Sequence, residues 1–238
     1  MLKEFAQYLV SLKDNKLYEI HGDTYSDNNL YRVSPHVDRP SRISVTGLDS
    51  IVKLIRSELD MIDNLPVFVQ VDGARKVSVF TSYDGTMTRD SLYEASCDVP
   101  GFREGFREYE KAIIELRSKF IHNPGVDYLL ELLSSISKEN GVTTSDNGVS
   151  QTVEARQGVA LKKMVQVKPL VSLRPYRTFL EVEQPDSDLL LRLDEDGNVG
   201  LFEADGGMWE MEAKANIAGY FEQELADFVA DGRVVVMM

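Results

Sequence analysis

VSLRPYRTFLEVEQP, residues 171–185, sets Arg174 and Arg177 ahead of Glu181 and Glu183, with Tyr176 and Phe179 between them and prolines at 175 and 185. Proline is tolerated at strand starts and edges, so the segment between the two prolines reads as a strand over residues 177–182. In an extended chain Arg177, Phe179, Glu181 and Glu183 share one face, and Tyr176, Thr178, Leu180 and Val182 the other. At about 3.3 Å per residue Arg177 stands roughly 13 Å from Glu181, so the charges must find partners outside their own strand. The stretch is therefore either a site or a piece of architecture, and the charge around it favours architecture. Residues 156–177 hold six cations (Arg156, Lys162, Lys163, Lys168, Arg174, Arg177) and no acid. In residues 178–238 fifteen acids stand against Arg192, Lys214 and Arg233, so this segment carries −12 (3 − 15) of the net −13. A basic segment followed at once by an acidic one pairs most simply as neighbouring strands.

Working outward, strand signals dominate the C-terminal side. They fall at residues 151–156, 165–172, 188–193 and 200–204, with a helix marked by Ile217, Phe221, Leu225 and Phe228 and a last strand at 234–237. Upstream, KENGVTTSDNGVS (138–150) is polar and holds two Asn-Gly pairs, which reads as a linker. It separates an N-terminal α+β region, 1–139, from a β-rich region, 140–238, the two standing as separate domains or one composite domain. Before the linker, Leu2, Phe5, Leu9 and Leu12 space an opening helix, and residues 21–40 read as loop. After a short strand at 43–45, Thr46 and Asp49 look like a capping box for a helix through Ile62, with Leu48, Ile51, Ile55, Leu59 and Ile62 as its stripe. Strands at 67–71, 76–83 and 91–99, separated by Asp72-Gly73 and Asp84-Gly85, suggest an antiparallel meander. Phe106, Tyr109, Ile113, Leu116 and Phe120 predict a helix, and Asn123-Pro124 opens another to about Ser137. The fold class is α+β, with largely antiparallel sheets and flanking amphipathic helices.

The composition is that of a globular chain, 43% apolar and 27% charged over 238 residues, with no run long enough to span a membrane or serve as a signal peptide, so a cytoplasmic location is expected. A net charge of −13 argues against direct nucleic-acid binding, because that affinity comes from neutralising phosphates. Cys97 is alone, cannot form an internal disulfide, and reads as a buried thiol. His21, His36 and His122 lack metal-ligand spacing, and His21, Asp23 and Asp27 read as solvated loop residues. DEDGN (194–198) places its glycine too early for a calcium loop and reads as a hairpin turn. No phosphate-cradling or nucleophile-elbow motif occurs, and no cofactor is called for. One catalytic pattern survives: Pro185-Asp186 followed by Glu212-Ala213-Lys214 follows the PD…ExK order of metal-dependent nucleases, in which two carboxylates hold the ion.

PYRTFLEVEQP (175–185), LFEADGGMWEMEA (201–213) and GVSQTVEARQGVA (148–160) resemble the signature stretches of a family of uncharacterised phage and prophage proteins typified by YfdQ. The order of elements around VFVQV (67–71) and SKFI (118–121) is similar too. The resemblance implies a phage-derived protein expressed in the bacterial host with early or DNA-metabolism genes. It brings no catalytic residues, so Arg174, Tyr176, Arg177, Phe179, Glu181 and Glu183 form a motif without an assigned role. The expected function is that of a non-enzymatic accessory protein that binds a host or phage protein through its acidic surface, by DNA mimicry or inhibition of a nucleic-acid enzyme. The alternatives are a metal-dependent enzyme acting on nucleic acid or nucleotide with some of Asp186, Glu212, Lys214, Glu181 and Glu183, and a virion structural component.

Overall fold

In a computed structural model, the structure describes residues 3–6, 17–20, 23–26, 39–62, 65–85, 87–135, 144–146, 151–157, 161–194 and 196–238. Two units divide at Arg39/Pro40. In the first, residues 3–6 are helical, and β1 (Leu17–Ile20) pairs antiparallel with β2 (Asp23–Ser26). Asp23 is thus a strand residue where a loop was expected. His21, Asp27 and His36 lie outside the described residues.

The second unit holds two hydrophobic cores. The first forms on the sheet of β3 (Ile43–Val45), β4 (Val67–Gly73), β5 (Lys76–Thr81), β6 (Ser91–Ser96) and β15 (Val234–Met237), in the order β15-β4-β5-β6-β3. The β4-β5-β6 meander is antiparallel as its alternation predicts, while β3 and β15 join the edges in parallel. α1 (Leu48–Glu58) buries Leu48, Ile51, Val52 and Ile55 against this sheet. α4 (Met208–Glu224) adds Ile217, Ala218 and Phe221 to the same core, and the short α5 (Ala226–Ala230) follows it. α4 opens well ahead of the apolar stripe that signals it in sequence, because its first turn exposes Met208 and Met211 and offers no stripe to read.

The second core lies under the all-antiparallel sheet β7-β14-β13-β12-β8: β7 (Gly105–Arg107), β8 (Phe120–Ile121), β12 (Leu170–Pro175), β13 (Ser187–Leu193) and β14 (Val199–Glu203). α2 (Tyr109–Lys119) and α3 (Pro124–Ser135) cover it with Ala112, Leu116, Val126, Leu129 and Leu133. The helix predicted from Phe106 to Phe120 is shorter, since both phenylalanines belong to strands. Asn123 caps α3 as its sequence suggests, its Oδ1 accepting the Val126 N–H at 2.9 Å. Gly125 lets this helix press onto β12, because a Cβ there would lie 2.3 Å from the Ser172 carbonyl oxygen. The expected strand over 165–172 is two strands, β11 (Leu161–Val167) and β12, parted at Lys168-Pro169. β11, β10 (Gln151–Gln157) and β9 (Thr144–Asp146) form a separate small sheet, so part of the expected linker is strand, while residues 138–143 and 147–150 lie outside the described residues. Strands from both sides of residues 139–140 pair in each five-stranded sheet.

One expectation fails at the point that matters most. Residues 176–186 are not a strand: the chain leaves β12 after Pro175, crosses to the first core, and returns to start β13 at Ser187. Phe179, only 1% exposed, packs among the residues of the first core although its flanking strands belong to the second sheet. Burial at 177, 178 and 179 in succession has no period of two, and that is why the face assignment of an extended strand does not hold.

Candidate functional site

The loop is held by its own amide and by both sheets. Gln184, buried, accepts the N–H groups of Arg177 and Thr178 on Oε1, at 3.0 and 3.1 Å, and donates Nε2 to the Phe179 carbonyl at 2.8 Å. One side chain thereby satisfies the backbone groups that a buried loop would otherwise leave unpaired. Toward the first sheet, the Thr178 hydroxyl donates to the Ala74 carbonyl in the β4–β5 turn, and Arg75 donates to the Arg177 carbonyl. Glu181 reaches α1: its Oε1 accepts the Leu48 N–H at 2.7 Å, while Gly47, at the N-cap, contributes no side chain. The carboxylate meets the positive end of the helix dipole, so the cap comes from 133 residues away and not from Thr46.

The arginines divide by depth. Arg174 on β12 grips both oxygens of Asp186, Nε to Oδ1 at 3.1 Å and Nη2 to Oδ2 at 2.6 Å, and reaches Glu183 at 3.0 Å. The hydrogen bond from Arg174 holds the Asp186 carboxyl below its usual range, and Asp186 in return holds the guanidinium above its own. All three side chains keep contact with solvent. Arg177 is 3% exposed. Its Nη1 meets Glu203 on β14 at 2.9 Å, its Nη2 donates to the Ser187 hydroxyl, which donates in turn to Asp205, and its face stacks at 3.9 Å on the ring of Trp209 in α4. Burial pulls its pKa down, and Glu203, then Asp205 and Glu210, pull it back up. Its Nε is buried and has no hydrogen-bond partner among the described residues. A guanidinium stays protonated here, so the cluster is a fixed charge assembly rather than a proton-transfer device.

The sequence motif therefore comes together only in part. Arg174 and Glu183 meet, Arg177 turns to β14 and α4, Phe179 enters the first core, Glu181 caps α1, and Tyr176, half-buried, donates its backbone N–H to the Lys119 carbonyl. Of the nuclease-like set, Asp186 is occupied by Arg174, and Glu212 and Lys214 sit two residues apart on α4, a spacing that points them to different faces. Among the described residues no group of three His, Cys, Asp or Glu side chains gathers to hold a metal ion. The DEDGN stretch lies between the antiparallel strands β13 and β14, where Asp194 Oδ1 accepts the N–H groups of Asp196 and Asn198, while Glu195 lies outside the described residues.

Sequence reasoning missed Gln184, Ser187, Asp205 and Trp209, whose roles depend on the loop's path and carry no spacing signal. α4 is the other surface element here. It carries Glu210, Glu212, Glu222 and Glu224 against Lys214 and leaves Met208 71% and Met211 74% exposed. Asn216 on α4 donates to the Glu183 carbonyl, which ties the helix to the loop. Tyr220 has its hydroxyl pKa raised by burial and by the charges of Glu224, Glu181 and Asp49, so acids from α4, the loop and α1 gather on one side of the helix. No helix among the described residues is long and apolar enough to cross a membrane. No family model, curated protein or solved structure matches the chain.

Proposed function

We propose that the protein is a phage-derived accessory protein, working in the cytoplasm of the bacterial host, that acts by docking the α4 face on another protein. The observation that carries this reading is the pair of exposed methionines, Met208 and Met211, one turn apart on a helix with four glutamates and one lysine. Methionine is flexible and polarizable and suits adaptable contact surfaces, while a ring of carboxylates steers a basic partner into register. The helix is presented rigidly, because Trp209 is clamped on Arg177 and Asn216 is tied to the loop. The partner has a basic surface with an apolar recess, as in the groove of a nucleic-acid enzyme, which an acidic face can occupy in place of DNA. The phage origin rests on the resemblance of residues 148–160, 175–185 and 201–213 to the YfdQ-typified family.

Affinity capture from infected cells at low and high salt tests the reading. One co-purifying protein, retained at low salt and shed at high salt, is the expected result. Magnesium- or manganese-dependent cleavage of DNA or RNA by the purified protein, lost in Asp186→Ala and Glu212→Ala, would establish the metal-dependent enzyme instead.

A further inference from the structure

Residues 82–90 join β5 to β6 and are tied across by Asp84, whose N–H donates to the Thr88 carbonyl and whose carboxylate accepts the Thr88 N–H and hydroxyl at 3.0 and 2.9 Å. The tied loop holds Arg89 against three rings, its guanidinium carbon 4.1 Å from the centroid of Tyr83, 5.1 Å from that of Phe68 and 5.3 Å from that of Phe80. Phe68 on β4 and Phe80 on β5 are register partners whose rings stack at 5.6 Å, and Val235 on β15 stands beside Phe68 in the same row. This row faces away from α1 and α4, because the side chains that join those helices in the first core are the alternating ones, Val67 and Val69 on β4 and Val79 on β5. Phe68 and Phe80 belong to neither core, Tyr83 is half exposed, and Arg89 and Val235 are exposed. We infer that this face recognises an acidic peptide segment, one carboxylate meeting Arg89 and a neighbouring apolar side chain lying against Tyr83 and Val235. It is a surface separate from α4, on the opposite face of the first sheet.

The missing partner decides the occupant. Among the described residues four arginines sit on aromatic rings, and three of them also meet a carboxylate: Arg56 with Asp227, Arg177 with Glu203 and Arg233 with Asp60. Arg89 stacks on more rings than any of these, yet its guanidinium forms no hydrogen bond or ion pair among the described residues. Stacking engages the face of the group and leaves the donors along its edge, so two of them are set for the two oxygens of a carboxylate. The acids on this side of the sheet are already partnered, Glu94 by Arg42 and Lys76, and Asp72 by Gln70 and Ser78. A nucleic acid fits poorly, because residues 82–90 sum to −1 (Arg89 against Asp84 and Asp90) in a chain of net charge −13, and each phosphate needs a cation. A single carboxylate needs only one. Because the rings fix the guanidinium in advance, little side-chain freedom is lost when it binds.

The experiment titrates the isotope-labelled full chain with the peptide acetyl-Leu-Glu-Leu amide and follows backbone amide shifts, with acetyl-Leu-Gln-Leu amide and an oligothymidylate as parallel probes. The glutamate peptide is expected to shift the amides of Phe68, Phe80, Tyr83, Arg89 and Val235 saturably, with a Kd on the order of 1 mM for so short a segment. The glutamine peptide, which keeps the shape and loses the charge, should bind wild type about tenfold more weakly. Arg89→Gln, an exposed change outside both cores, should weaken the glutamate peptide by about the same factor and abolish the difference between the two peptides. Equal binding of the two peptides by wild type, an unaltered Kd in Arg89→Gln, tighter binding of the oligothymidylate than of the glutamate peptide, or the absence of saturable shifts would each overturn the assignment.

Discussion

Replacing Arg177 by alanine should destabilise the protein by about 2–4 kcal/mol. The figure follows from position. Removing one member of a fully buried ion pair costs about 3–5 kcal/mol, because the partner's charge is stranded, whereas an exposed pair contributes about 0–1 kcal/mol. Arg177 is buried at 3% exposure, but Glu203 is 30% exposed, so water takes up part of the stranded charge and the cost falls between those limits. Loss of the stack on Trp209 and of the donor to Ser187 keeps it in the upper part of that interval. Urea unfolding of wild type, Arg177→Ala, Glu203→Gln and the double variant measures the effect, with an unchanged denaturant slope as evidence that the same cooperative unit unfolds. The pair should couple by on the order of 1 kcal/mol. Arg174→Ala, whose partners are half-exposed or more, serves as the contrast and should cost about 0–1 kcal/mol. Arg177→Ala within about 0.5 kcal/mol of wild type, or no different from Arg174→Ala, would refute the view that this guanidinium is buried architecture.

Glu181→Gln should lower stability by about 0.5–1 kcal/mol through its weakened cap on α1, and Gly47→Ala should do so by displacing that cap, since a Cβ at Gly47 lies 2.6 Å from Glu181 Oε1; equal urea midpoints for wild type and both variants would remove the cap from the account. The Asp186 carboxyl, held low by Arg174, binds fewer protons in the folded than in the unfolded chain. Its stabilising contribution is therefore fully present above about pH 4 and is lost as pH falls through the lower native pKa. Carbon-detected NMR titration should place Asp186 below the ordinary aspartate range in wild type and return it there in Arg174→Ala; the same midpoint in both would show that the pair does not form. Cys97 is partly buried where a buried thiol was expected, and its thiol, its pKa raised by that burial, should react more slowly with iodoacetamide near neutral pH than in denaturant, and equal rates would contradict its placement.

The elements with a strong period were legible in the sequence. The stripe of α1, the β4-β5-β6 alternation and the Asn123 cap all depend on residues within one turn or one strand. What could not be read depended on contacts between residues far apart in the chain. Gly47 leaves α1 without a side-chain cap, and the cap comes from Glu181, so local capping grammar pointed to Thr46 instead. The prolines at 175 and 185 bound an excursion rather than a strand, and only a second sheet able to receive Phe179 makes a buried loop worth its ordering. The predicted cross-strand pairing of basic with acidic segments survives in altered form. Arg177 finds Glu203 on β14, but from a loop, and Arg174 finds Glu183 and Asp186 across that loop's base. The start of α4 was hidden because its methionines and glutamates face solvent.

The most direct test of the docking proposal is quantitative capture from infected cells with wild type and the double variant Met208→Glu/Met211→Glu, both confirmed folded by urea melts. Both side chains are exposed, so the change should leave stability within about 0.5 kcal/mol of wild type. The account predicts that a basic partner retained by wild type is depleted at least tenfold with the variant, since buried apolar anchors carry most of an interface's energy. Equal recovery of the same partner by both proteins would contradict it and move the contact off α4.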